Sequence, residues 1–363
     1  MTRLEALVGL NKVADIGSIR LKKLLAYFGT PQDIFDAGQD RLMNVAGIGE
    51  TIARKISSFK EEESREEIGS AKKCGVRIMT LDDAQYPVNL RNIPDPPIVL
   101  YVKGELKEED RLAVGIVGSR RASFYGLSNA HKFAADLAVK GFTIISGMAR
   151  GIDTYAHKGA LSAGGRTIAV MGSGFNRLYP PENRELGEEI AGCGALVSEF
   201  AMDTEPFKQN FPRRNRVISG LSLGILVAEA SRNSGALITA DFALEQGRDV
   251  FALPGKLGSL NSWGTNGLIK EGASLVSCAD EIIEEFGLEI DTGLSVRKIK
   301  SRAVGDLPEE EAVLYGSVSD SPACLDEILE KTNFTGSRAA ELILKLQIKK
   351  LIKELPGKQF VRN

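Results

Sequence analysis

Residues 115–126 read "GIVGSRRASFYG". The apolar run Ala113 to Val117 leads into Gly118, and a helical pattern follows. A strand that ends in a glycine turn and restarts as a helix opens a Rossmann-like α/β fold, and at first sight a dinucleotide site. The fingerprint fails in detail. It requires G-x-G-x-x-G, with an acid about 20 residues later for the ribose. The glycines here are Gly115, Gly118 and Gly126, and the next strand ends in Ser146-Gly147 with no acid. An ATP-type P-loop fails as well: "GALSAGGRT" comes nearest, with Arg166 in place of the lysine. What remains is a loop of amides and hydroxyls, Gly118, Ser119 and Ser123, beside two cations, Arg120 and Arg121. Helix N-termini favour anions through their free N–H groups, and the planar arginine fork suits phosphate. The competing reading pairs both arginines with surface acids.

Working outward, strands are readable at 113–118, 142–146, 167–171, 195–199, 224–228, 249–253 and 274–277, with "VRIMTL" and "PPIVLYVKG" before them. Helical stretches such as "SNAHKFAADLAVKG" and "ALITADFALEQG" separate them. Strands alternating with helices of about 10–15 residues imply βαβ units and a mostly parallel sheet covered on both faces. Ligands of such sheets sit at the carboxyl ends of the strands. Gly118, Gly147 and the pair Gly172-Ser173 follow strands directly and cluster there.

The expected organisation has four parts. Residues 1–70 form a helical domain of the helix-hairpin-helix (SAM-like) kind, 71–288 the Rossmann-like domain, 289–306 a linker, and 307–363 a winged helix. The hairpin turn is Gly47-Ile48-Gly49, whose amides suit a DNA phosphate; a purely structural hairpin is the alternative, since no cation lies in the turn. In the C-terminal part Arg338, Lys345, Lys349 and Lys350 either face a DNA groove or make the solvated face of an amphipathic helix.

Composition narrows the function classes. The net charge is -2, so a nucleic-acid site must be a concentrated basic patch. Four cysteines lie far apart with no CxxC, and there are two histidines, which suggests neither a disulfide framework nor a metal centre. No apolar run reaches the roughly 18 residues of a membrane span, and the N-terminus carries no signal-peptide pattern. A reducing cytoplasm is the expected setting.

Three further stretches carry chemistry. "FKQNFPRRNRVISGLS" holds Lys208, Arg213, Arg214 and Arg216 with Asn215 and no acid, interleaved with Phe207 and Phe211. Cations for phosphates and aromatics for stacking are what a single strand requires; the alternative pairs the arginines with acids elsewhere and buries the rings. Pro212 is expected to begin a helix there. "SGMARGIDTYAHKGAL" places Asp153 and His157 four apart, either as an acid–base pair or as a helix cap and a core histidine. Arg150 beside them is the better anion contact. "EASRNSGALITAD" offers Ser234 and Gly235 as another anion-binding turn after Glu229, an acid that is either catalytic or a partner for the arginines. Gly255, Lys256, Trp263 and Asn266 fall near the same edge.

Together these stretches resemble the DNA-processing protein A family (DprA, also called Smf). The resemblance rests on "VGSRRASFYG", "SGMARGIDTYAHKGAL", "TIAVMGSGFNRLYPPEN", "FPRRNRVISGLS", "VAEASRNSGALITADFALEQGRDVFALPG" and "GTNGLIKEGA", and covers about Tyr86 to Phe286. It implies an extended Rossmann-like fold that binds single-stranded DNA, forms a homodimer, and loads RecA recombinase on strands taken up in natural transformation. It also implies that Arg120 and the Arg213–Arg216 cluster contact phosphates. No cofactor and no catalytic residue are expected. The alternative function is a nucleotide phosphoribohydrolase-like enzyme of a related Rossmann-like group, although "SRNSGALITAD" lacks the Gly-Gly-x-Gly-Thr loop of those enzymes. A duplex-binding regulator acting through the winged helix is a third reading.

Overall fold

The computed structural model describes residues 1–287, 308–318, 323–332, 334–349, 351–355 and 359–362. They form two compact units, one up to residue 287 and one from residue 308 onward; the expected linker 289–306 lies outside the described residues.

The first unit is built on one nine-stranded sheet in the order β1-β2-β6-β5-β4-β3-β7-β8-β9. Its strands are β1 Arg77–Thr80, β2 Val99–Gly104, β3 Ala113–Gly118, β4 Thr143–Ser146, β5 Thr167–Val170, β6 Ala195–Ser198, β7 Gly224–Glu229, β8 Asp249–Ala252 and β9 Ser274–Leu275. From β3 to β9 neighbours run parallel, while β2 is antiparallel to β6 and β1 to β2. Every residue of β7, "GILVAE", is buried, as a strand covered on both faces requires. Alternation sorts its side chains between two cores. Ile225 and Val227 pack with Val217, Ile218 and Ala240 on one face; Leu226 packs with Ala130, Phe133 and Ala156 on the other. Each such fully buried aliphatic contributes about 1.5–3 kcal/mol, so the sheet is held by these layers rather than by its loops.

The N-terminal helices are α1 Arg3–Lys12, α2 Ser18–Phe28, α3 Pro31–Phe35, α4 Gln39–Met43, α5 Glu50–Ser57 and α6 Glu61–Lys73. Thr2 starts α1 with a reciprocal capping box to Glu5. The expected hairpin turn joins α4 to α5, with Gly47 at φ 92 and its carbonyl accepting from Arg20 Nε at 3.1 Å. This region shares a core with the sheet, since Leu7, Leu24 and Ala71 cluster with Val99, Tyr101 and Met202. Glu67 seals the junction by accepting the Met202 N–H at 2.7 Å.

The helices around the sheet are α7 Val88–Arg91, α8 Phe124–Val139, α9 Ile152–Ser162, α10 Arg184–Cys193, α11 Asn210–Leu221, α12 Gly235–Glu245, α13 Trp263–Lys270 and α14 Ala279–Glu285. Pro212 does not begin α11 but sits in its first turn, two residues in, where a missing N–H costs nothing. After β3 the chain builds β4, β5 and β6 outward on one side, then returns to place β7, β8 and β9 on the other. The reversal opens a crevice between the carboxyl ends of β3 and β7.

The second unit runs α15 Glu309–Ser317, β10 Ala323–Cys324, α16 Leu325–Thr332, α17 Gly336–Ile348, β11 Ile352–Leu355 and β12 Gln359–Arg362. Its sheet order is β10-β12-β11, and its core joins Leu314, Ile328, Leu342, Leu346 and Phe360. Of the basic residues read either as a DNA-facing set or as a solvated helix face, the three described ones are ion-paired, as a solvated face allows. Arg338 meets Glu310 and Glu341, Lys345 meets Glu341 at 2.7 Å, and Lys349 meets Glu311 at 2.5 Å. Lys350 lies outside the described residues.

Candidate nucleic-acid interface

The crevice at the β3/β7 reversal holds an open cavity of about 610 Å³. The loop 118–121 forms one wall, with Gly118, Ser119, Arg120 and Arg121. The start of α11 forms the opposite wall with Lys208, Phe211, Arg214 and Asn215. Ser234 and Gly235, where α12 begins, close a third side. The Arg120 guanidinium lies over the Phe211 ring, 4.7 Å from its centroid, a cation–π contact that places charge above an aromatic floor. Among the described residues Arg120, Arg121 and Lys208 have no acid within ion-pair distance. None of them meets a surface acid, which the surface-pairing alternative does not accommodate; the acid that Arg120 acts on is Asp153, buried in the lining of the same cavity.

The end of the loop is clamped. The Glu229 carboxylate, buried at the end of β7, accepts the Ser123 N–H at 3.0 Å and the Ser123 hydroxyl at 2.5 Å. Ser123 in turn caps α8. Glu229 thus orders the loop through Ser123, not by meeting the arginines. The glycine of "SFYG" follows from this: a Cβ at Gly126 would lie 2.3 Å from Glu229 Oε2. The spacing of Gly115, Gly118 and Gly126 reflects packing rather than room for a pyrophosphate.

The other sequence-derived residues divide sharply. Arg214, 4% exposed, is buried under the crevice floor and donates to the carbonyls of Gly147 and Val170. Gly147 is glycine because a Cβ there would strike that guanidinium at 2.3 Å, and Gly172 backs the Phe211 ring. Arg216, 7% exposed, does not join the crevice; it binds Glu199 at 2.6 Å and the Asp95 carbonyl. Arg213 shares Glu199 at 3.0 Å, lies over Phe200 and keeps one exposed flank, so the expected phosphate pair is instead an ion-paired cluster around one acid. Arg150 pairs with Glu182 outside the crevice. Ser173 is buried, its carbonyl accepting from Ser198 at 2.8 Å. Gly255 is gripped at N–H and C=O by the Asn266 amide, both at 3.1 Å, while Lys256 next to it is exposed. Trp263 lines a separate cavity. Sequence reading missed Thr239 and Asn261, which line the crevice from α12 and from the loop after β8; Thr239 lies inside a helix, and Asn261 lies in a glycine-rich stretch in which other residues drew the reading.

Asp153 and His157 are not an acid–base pair. The Asp153 carboxylate accepts the Ala149 N–H at 3.3 Å, so it secures the turn before α9 rather than capping the helix at its N-cap. Burial raises its pKa, with Arg214 and that amide holding it down. His157 Nδ1 meets Thr167 Oγ1 at 2.6 Å inside the core. Burial, helped by Arg214, lowers its pKa to about 3. The unfolded imidazole titrates near about 6.5. The stabilising difference is therefore complete above that pH and is lost as pH falls towards about 3. Asp153 takes its proton first in the folded state and offsets part of the loss. His157→Asn is expected to flatten the acid limb of stability against pH in urea titrations; an unaltered limb would contradict this assignment.

A model of the family described as DNA recombination-mediator protein A matches residues 77–287, and a SAM-like helix-hairpin-helix tandem matches residues 8–59. Protein Smf of Escherichia coli (strain K12) is 39% identical over 308 residues, spanning 84% of this chain and 82% of that protein. DNA processing protein DprA of Streptococcus pneumoniae (strain ATCC BAA-255 / R6) is 44% identical over 206 residues, 57% of this chain and 72% of that protein. The X-ray structure of DNA processing protein A from Streptococcus pneumoniae superposes with a TM-score of 0.69 at 33% identity, covering 78% of this chain and 98% of that one. The structure of DNA processing protein A from Helicobacter pylori, described for its single-stranded DNA binding mode, superposes at 0.52 with 32% identity, covering 58% and 95%. Through the family match over most of the sheet domain, these identities and the shared architecture, the chain belongs to the DNA recombination-mediator protein A family, the DNA-processing proteins called DprA or Smf.

Proposed function

We infer that this chain binds single-stranded DNA across the β3/β7 crevice and passes it to RecA recombinase, working as a cytoplasmic homodimer and not as an enzyme. The observation that carries the reading is the set of exposed cations lining one crevice, Arg120, Arg121 and Lys208, with Arg120 over the Phe211 ring. Phosphates are assigned to those side chains and to the amide of Gly235, and a base to Phe211; the Ser119 N–H is already bonded to the Glu229 carbonyl at 2.7 Å. The single-stranded DNA binding described for the Helicobacter pylori relative supports this, as does the engagement of Asp153, His157 and Glu229 in structural hydrogen bonds. Family membership supports recombinase loading and dimerisation as part of this reading. We read the second unit as a winged helix from its element order. Its ion-paired cations support a minor share in strand binding.

Salt-titrated anisotropy with oligo-dT, duplex and a mononucleotide tests the assignment. The single strand is expected to bind tightest. Contacts to about four phosphates give a slope of log K against log salt near −3, at about −0.7 per phosphate. A chain ending before residue 300 is expected to retain most of that affinity. Tighter duplex binding, lost on truncation, would move the site to the second unit. Release of free base from the mononucleotide, abolished by Glu229→Gln, would restore the enzyme reading.

A further inference from the structure

Among residues 1–287 the three most exposed large apolar side chains are Leu257, Phe124 and Leu260, at 88%, 86% and 71%. They lie on two adjoining segments. Phe124 opens α8, directly after the cation loop, and the two leucines lie on the loop between β8 and α13. The segments are tied by Tyr125 Oη donating to the Pro254 carbonyl at 2.8 Å and by Asn261 Nδ2 reaching the Arg121 carbonyl at 3.5 Å. Since Asn261 and Arg121 both line the crevice, the apolar side chains flank its rim. No acid occurs in 115–126 or 253–270. Arg121 and Lys256, on the same segments, are exposed and have no acidic partner among the described residues.

Apolar side chains set beside uncompensated cations fit one kind of partner, a polyanion that carries flat apolar faces. An apolar protein surface would leave the cations unmatched, and duplex DNA hides its base faces. A single strand supplies both components. We propose that Phe124, Leu257 and Leu260 form a second base platform, over which the single strand continues after leaving the crevice, with Arg121 and Lys256 taking the phosphates between. This rests on the assignment of the crevice to single-stranded DNA.

The test uses the full chain, with Phe124→Ala and the double variant Leu257→Ser/Leu260→Ser, beside Arg120→Ala. Binding is measured to oligo-dT of about 6 and about 16 nucleotides, and to a long oligomer whose outer positions are abasic. Phe124→Ala is expected to weaken the long oligo-dT about tenfold, leaving the short one and the abasic oligomer unchanged, because stacking requires bases. The double variant is expected to act in the same direction, with Tm unchanged in all three. If Arg120→Ala weakens every ligand while Phe124→Ala and the double variant weaken none, the platform is wrong and the crevice assignment stands. If Arg120→Ala changes nothing, the crevice assignment falls and the platform with it. Equal losses on oligo-dT and abasic DNA would overturn stacking. A change in sedimentation with DNA binding intact would make the rim a protein contact.

Discussion

Arg120→Ala is expected to weaken oligo-dT binding tenfold or more while leaving the melting temperature in place. The guanidinium is exposed, no acid among the described residues lies within ion-pair distance of it, and its longer-range attraction to Asp153 is offset by repulsion from Arg214, so folding depends little on its charge. A charge-assisted hydrogen bond contributes about 1.5–3 kcal/mol, and about 1.4 kcal/mol is already a factor of ten. The same group is stacked on Phe211 at 4.7 Å, so its removal also loosens the aromatic floor. Arg120→Lys separates the two effects. It keeps the charge but loses the planar fork and much of the stack, and an intermediate affinity is expected. Removing one phosphate contact also makes the salt slope shallower by about 0.7. Coincident anisotropy curves for wild type and Arg120→Ala across the salt series would remove the crevice from consideration.

Arg214→Ala is expected to fail in a different way, by loss of the fold. The two arginines are neighbours in one cavity, but Arg214 is buried against carbonyls and beside Asp153. Its pKa is lowered to about 10 by burial, so it remains charged at neutral pH, with Asp153 opposing the shift. Truncation leaves two carbonyls unpaired and Asp153 without the stronger of its two nearby cations. Breaking such a buried arrangement costs about 3–5 kcal/mol, a large part of the roughly 5–15 kcal/mol that holds a domain together. Urea unfolding of Arg214→Ala is expected to show that loss. Arg214→Lys should recover little, since one ammonium does not reproduce the planar contact with both carbonyls. A variant as stable as wild type that had lost only DNA affinity would return Arg214 to the binding surface.

These two residues also show what was legible in the sequence. The strands from 113 to 253 announce themselves because a strand buried on both faces is a continuous apolar run between turn residues. The loop 118–121 and the basic start of α11 could be found because charge and glycine stand out in one dimension. Which arginine faces outward could not. Arg213 and Arg216 share the face of the helix that meets Glu199, while Arg214 points from another. Their roles are decided by Glu199 and by the carbonyls at the ends of β4 and β5, partners that the chain contributes from distant positions. Thr239 and Asn261 were hidden for the same reason, since only the crossover at the sheet centre brings them to the crevice.

The clamp of Glu229 on Ser123 has a consequence for selectivity. In dinucleotide folds the helix after the first parallel strand begins with bare N–H groups, and a pyrophosphate settles there. Here the comparable helix start already holds an anion, supplied by the protein's own carboxylate. A free nucleotide, however abundant, brings its phosphate to an address that is taken. The remaining attraction comes from separate side-chain cations around the crevice, each weak alone. Only a ligand that repeats its phosphates along a chain engages several of them at once. On the proposed reading, the carboxylate closes the socket that a dinucleotide fold offers a single phosphate and leaves the crevice to favour a polymer over a monomer.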